Sequence, residues 1–253
     1  MIIANWKMNG TRQSVATWIE SVSRNININN ENSCIFCPPT CYLEYARRLV
    51  DENGNHIEIG SQIMNHSFKG ESLTGGISST MLKDLSIDYV LVGHSEQRNI
   101  LKESNEVIRK KIVKALDDEL SVIYCIGEDL GTKNKNETHL FLSEQLDVLG
   151  ELQSTHDELK LRSITVAYEP IWAIGSGLNA ENYYIEETHE FIKNYINDNL
   201  GWGHLGIYTP VLYGGSVNLD NCEEIISSTD VDGLLIGGAS LNSETFSKIY
   251  NLS

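Results

Sequence analysis

With 253 residues, 41% of them apolar and 21% charged, the chain can bury a large core and is too apolar for intrinsic disorder. Thirty-five Asp and Glu against 19 Lys and Arg give a formal net charge of -16, which disfavours nucleic acid and anionic membranes, so neither is expected as a partner. There is no apolar run of 18 residues and no signal-peptide pattern in the opening MIIANWKMNG, and five cysteines suggest free thiols in a reducing compartment, so a cytoplasmic location is expected.

Short apolar runs follow one another along the chain: 1–5 (MIIAN), 34–37 (CIFC), 56–60 (HIEIG), 89–93 (YVLVG), 121–127 (SVIYCIG), 164–169 (ITVAYE), 208–215 (YTPVLYGG) and 231–238 (VDGLLIGG). Most are continuous β-branched or aliphatic stretches, as expected of strands covered on both faces. Between them stand helical patterns with an apolar stripe, at 15–22, 42–50, 80–85, 104–116, 138–152, 182–196, 221–226 and 243–250. No Pro/Gly/Ser linker interrupts the series. Eight βα units predict a single α/β domain over residues 1–253, a closed (β/α)8 barrel; a doubly wound open sheet is the alternative.

In a barrel of this kind function gathers at the carboxyl ends of the strands. Asn5 and Lys7 end the first run; a lone lysine is ordinarily solvated, but at a barrel mouth it suits an anionic substrate. Cys34, Cys37 and Cys41 are loosely spaced, Pro38 and Pro39 intervene, and no second Cys or His pair answers them. Buried small hydrophobes are therefore expected, and no metal. Gln62 follows the third run. His94, in GHSE, ends the fourth and opens a short helix, whose terminal N–H groups disfavour the imidazolium and leave a neutral ring able to donate. Glu169 stands one residue past VAY. Pro170 stiffens the exit, IWAI is too apolar for a loop unless it folds onto something, and Gly175, Ser176 and Gly177 supply bare N–H groups. Residues 170–180 thus read as a lid beside a base. Glycine pairs at 214–215 and 237–238 follow the last two strands, where such barrels bind phosphate.

NWKMNG (5–10), VLVGHSE (90–96), AYEPIWAIGSG (167–177), LYGGSV (212–217) and VDGLLIGGASL (231–241) occur in this order. Together they resemble the triosephosphate isomerase family, over the whole span from Asn5 to Leu241. The resemblance implies interconversion of dihydroxyacetone phosphate and glyceraldehyde 3-phosphate on a TIM barrel, without cofactor or metal. It makes Glu169 the base, His94 the neutral electrophile, Lys7 the charge that offsets substrate and transition state, and Asn5 its orienting neighbour. Gly175, Ser216, Gly237 and Gly238 donate to the phosphate on this pattern. Thr74 crosses a homodimer interface to brace Asn5 and His94, and Cys125 is structural.

The chain departs from the family's usual residues at several positions. Gln97 stands for an arginine and Gly76 for a glutamate, an opposite-charge pair near the interface, so the dimer is expected to hold less tightly. Ile63 replaces an asparagine and Ser176 a threonine, and the start leaves little room for a full first strand before Asn5. None of these removes a catalytic group. A non-catalytic sugar-phosphate binder on the same fold would accommodate Gln97, Gly76 and Ile63. A Schiff-base aldolase needs a lysine on a mid-barrel strand end, where this chain has His94 and Glu169.

Overall fold

A computed structural model of the chain describes residues 1–53, 56–66, 72–174 and 180–253. Its strands are β1 (Ile2–Asn5), β2 (Cys34–Cys37), β3 (Glu58–Ser61), β4 (Tyr89–Val92), β5 (Ser121–Ile126), β6 (Ile164–Tyr168), β7 (Val211–Tyr213) and β8 (Leu234–Ile236). Each pairs in parallel with the next. β1 returns to β8, Ile2 against Leu234 and Ala4 against Ile236, which closes the barrel and excludes the open sheet.

The pleat sorts each strand's side chains into two cores. Ile3, Ile35, Leu91, Ile123, Leu212 and Leu235 fill the barrel interior. Ile2, Ala4, Phe36, Val90, Val122 and Val166 belong to the larger core between strands and helices. Two-sided burial of this kind explains why the strand sequences run apolar without alternation; each buried aliphatic side chain contributes about 1.5–3 kcal/mol.

Among the described residues the helices are α1 (Arg12–Asn25), α2 (Leu43–Asn53), α3 (Ser79–Asp84), α4 (Ser95–Asn99), α5 (Asn105–Asp117), α6 (Leu130–Asn134), α7 (Thr138–Leu146), α8 (Glu158–Leu161), α9 (Asn182–Asn194), α10 (Cys222–Ile226) and α11 (Ser243–Leu252). Thr11, Ser78, Ser104 and Asp157 start four of them as side-chain N-caps. None of the helices is long and apolar enough to cross a membrane.

Several boundaries differ from the sequence patterns. The run 208–215 contributes only Val211–Tyr213, because Pro210 has no N–H for the ladder. The pattern at 138–152 is helical only to Leu146 and continues as 3-10 turns at Asp147–Leu149 and Leu152–Ser154. The pattern at 182–196 leaves α9 at Asn194 for a π-turn over Tyr195–Asn199. The first strand is not cramped: Ile2 to Asn5 match Cys34 to Cys37 residue for residue, and β1 is as long as β2. Cys34 and Cys37 are buried while Cys41 is exposed, so the three do not form one cluster.

Candidate active site

Glu169 is delivered by the β6 pleat. Its N–H bonds Ile126 O at 2.7 Å, extending the ladder one residue beyond the strand and pointing the side chain inward with Ala167. The neighbouring chain must come very close here, which requires glycine at 127. A Cβ at that position would stand 2.6 Å from the carbonyl carbon of Glu169.

His94 lies out of phase with the inward set of β4, Tyr89 and Leu91. Gly93 corrects this: at φ 76°, in the left-handed region open to glycine, it turns the following histidine inward. His94 is the N-cap of α4, and its Nδ1 accepts the Glu96 N–H at 3.2 Å. The ring proton therefore sits on Nε2, which donates to Glu169 Oε1 at 3.0 Å. The Ser95 N–H donates to the other carboxylate oxygen, also at 3.0 Å.

Both groups are buried, and their charges are coupled. Burial lowers the His94 pKa, but the adjacent Glu169 carboxylate more than offsets this and raises it. The Glu96 N–H occupies Nδ1, the nitrogen that a second proton would need, and so opposes that rise. Burial alone would raise the Glu169 pKa, yet His94, the Ser95 N–H and Lys7 together hold it below the usual carboxylate value. Desolvation is thus outweighed in the resting arrangement.

Lys7 takes φ 51°, an uncommon conformation for a side-chain-bearing residue and one that costs about 1–3 kcal/mol. Local bonds hold it there. Asn5 Oδ1 accepts the Lys7 N–H at 3.0 Å, and Gln62 Nε2 donates to the carbonyls of Lys7 and Cys37, each at 2.9 Å. The Lys7 Nζ then reaches Glu96 Oε1 at 2.9 Å.

The two glycine turns complete the mouth. Trp6 and Trp18 both donate their indole N–H to Ser240 O, at 3.2 and 2.8 Å, which fixes the 3-10 turn Gly238–Leu241 after β8. Asn221 Nδ2 donates to Ser216 O at 3.0 Å and fixes the turn after β7. Among the described residues the N–H groups of Ser216 and Gly238 have no acceptor, so they remain available to a ligand.

Asn5, Lys7, His94, Glu169, Ser216, Gly237 and Gly238 line one cavity of about 280 Å³. Thr74 is exposed and does not line it, and Gly175 falls outside the described residues. Three contributors do not stand out in the sequence patterns. Glu96 and Ser95 were read only as part of GHSE, although an acid two residues past a helix-opening histidine is a detectable signal. Glu128 follows Gly127 in an acidic pair that reads as a solvated loop, yet it is fully buried and accepts from Tyr168, Trp172 and Tyr184.

A carboxylate and an imidazole face each other beside a lysine and N–H groups without an acceptor among the described residues, at the carboxyl mouth of a (β/α)8 barrel. The fold and site define an enzyme class: acid–base chemistry on a small anionic substrate. A family model for triosephosphate isomerase matches residues 1–253. The chain is 39% identical to the triosephosphate isomerase of Colwellia psychrerythraea over 251 residues, covering 97% of this chain and 94% of that protein. It is 40% identical to that of Dictyostelium discoideum over 246 residues, covering 96% and 91% respectively. The chain belongs to the triosephosphate isomerase family.

Proposed function

We propose that the chain interconverts dihydroxyacetone phosphate and D-glyceraldehyde 3-phosphate, the isomerase step of glycolysis and gluconeogenesis, with no cofactor or metal. Glu169 removes a proton from one substrate carbon and returns it to the other. His94 Nε2 donates to the carbonyl oxygen, where negative charge grows as the enediolate forms; a fixed donor at such a site typically supplies about 3–4 kcal/mol. Lys7 offsets the charge of substrate and transition state, and Asn5 positions it. The N–H groups at Gly175, Ser216, Gly237 and Gly238 hold the phosphate, a remote handle whose binding energy closes the segment 170–180 over the enediolate.

One observation carries this reading. The carboxylate and the imidazole already hydrogen-bond inside a cavity that the two glycine turns also line. For chemistry Glu169 must leave His94 and Ser95, and losing those partners restores its basicity where the proton is taken. A coupled assay of glyceraldehyde 3-phosphate isomerisation tests the reading. Glu169→Asp retracts the carboxylate by about one CH₂ and is expected to keep the fold while losing most turnover, about a hundredfold for a displacement near 1 Å. Parent-level turnover in that variant would remove Glu169 as the base.

The reading includes a homodimer and a cytoplasmic location, the latter supported by five free cysteines. Met8, Leu73, Met81, Ile100 and Leu101 are exposed on the segments that follow β1, β3 and β4. Thr74, exposed on the segment after β3, is the residue that reaches the partner's site. Gly76 suits its own turn, since a Cβ there would lie 3.1 Å from Leu73 O. With Gln97 opposite, both members of a charged pair are gone, which is nearly neutral where losing one would cost about 3–5 kcal/mol. Activity measured from nanomolar to micromolar protein reads the dimer directly: constant specific activity marks a tight interface, and a fall on dilution a weak one.

A further inference from the structure

The root of the segment after Glu169 is docked on a buried carboxylate. Tyr168 Oη donates to both oxygens of Glu128 at 3.1 Å, Trp172 Nε1 at 2.8 Å and Tyr184 Oη at 2.9 Å. Residues 169–173 are also tied through their main chain, the Ile171 N–H to Glu128 O at 3.0 Å and the Ala173 N–H to Pro170 O at 2.8 Å. The rigid Pro170 ring lies between, so a movement of the Trp172 indole is transmitted to the Glu169 backbone.

Lys133, in the last turn of α6, closes this arrangement from outside. Its Nζ stands 3.3 Å from the Trp172 ring centroid and 4.5 Å from that of Tyr184, and the two rings meet edge-on, 5.8 Å apart at 71°. In a chain of net charge -16, this ammonium makes no ion pair among the described residues and rests on two aromatic faces instead. Asp129, which caps α6 through the Thr132 N–H at 2.8 Å, fixes the backbone that carries it. The same indole is therefore gripped by Glu128 at its N–H and by Lys133 on its face.

We propose that Lys133 is a positioning residue that holds the Trp172 indole against Glu128 and so keeps Glu169 in its resting place on His94 and Ser95. The inference rests on Glu169 being the base. Removing the cation weakens the resting state relative to the substrate-engaged one, so ligands that require engagement bind more tightly. A cation–π contact of this kind accounts for about a threefold to thirtyfold change.

The test uses the full chain labelled with 5-fluorotryptophan, with the Trp172 line assigned by Trp172→Phe. Lys133→Met keeps the stem and deletes the charge; Lys133→Arg supplies a planar cation able to lie on both rings. For Lys133→Met the Trp172 line shifts, a phosphorylated enediolate mimic binds at least threefold more tightly, and KM falls by a similar factor. Lys133→Arg returns all three toward the parent. An unchanged Trp172 line, or a mimic that binds equally or more weakly, overturns the proposal. Glu169→Gln is measured separately: unimpaired turnover there would refute the base assignment, whereas the fluorine line and mimic affinity judge the brace.

Discussion

Gly127→Ala tests how closely the geometry of the base depends on a neighbouring strand. The new Cβ would stand 2.6 Å from the carbonyl carbon of Glu169 and 3.3 Å from its Cα. Carbon atoms pack comfortably at about 3.5–4.0 Å, so roughly 1 Å of space must be found. Gly127 cannot retreat easily, because Gln145 holds both of its backbone groups, accepting the N–H at 2.9 Å and donating to the carbonyl at 3.1 Å. Glu169 is therefore the side that moves, against its own bond to Ile126 O. Displacing a reacting group by about 1 Å costs on the order of a hundredfold in turnover, and overpacking costs about 1–3 kcal/mol of stability. In a chain of this size each kcal/mol lowers Tm by about 2–4 °C. Steady-state kcat/KM and calorimetry of the same preparation report both effects. A variant within threefold of the parent in kcat/KM, with an unchanged Tm, would refute the claim that this contact positions the base.

Three further outcomes follow from the same geometry. Ser95→Pro deletes the N–H that Glu169 accepts at a helix-opening position that tolerates proline, after a His94 already extended at φ -51°, ψ 142°. Because that bond holds the Glu169 pKa down, the acid limb of the kcat/KM profile moves to higher pH; an unmoved limb refutes the assignment. His189 is fully buried, and burial lowers its pKa from 6.5 to about 4, so between those values the unfolded chain binds a proton that the folded one refuses. Stability is therefore lost as pH falls from 6.5 to 4, by roughly 3 kcal/mol, and denaturant titration of His189→Gln shows a correspondingly flatter dependence. Lys111 and Glu103 form a nearly buried ion pair; Lys111→Met costs about 3–5 kcal/mol, while adding Glu103→Leu recovers most of it, as read from urea unfolding.

The barrel was legible because two-sided burial leaves a pattern that chain order alone can expose: eight apolar runs separated by amphipathic segments. Strand ends were less legible, since Pro210 and the glycines after Tyr213 decide them through hydrogen bonding that hydropathy does not record. The positions of Asn5, Lys7, His94 and Glu169 at strand ends could be read directly. What tunes them could not. Glu96 bonds His94 locally through its N–H but meets Lys7 only across the fold, and the buried state of Glu128 depends on Tyr168, Trp172 and Tyr184, which lie 40, 44 and 56 residues further along.

The state of the base in the empty site bears on how it becomes strong. Glu169 is held ionised by His94, the Ser95 N–H and Lys7, and Lys7 is itself bonded to Glu96. On the proposed assignment the phosphate is received by the N–H groups of the turns after β7 and β8, while Lys7, bonded to Glu96 in the empty site, must loosen that pair to offset substrate charge. That arrangement brings a second anion near Glu169 without supplying a new cation to screen it. A like charge disfavours the ionised carboxylate, and leaving His94 and Ser95 removes the bonds that favoured it. Both changes raise proton affinity at the moment the carbon acid is in place. If Glu169 is the base as proposed, it is weak while the site is empty and is strengthened by the substrate it serves.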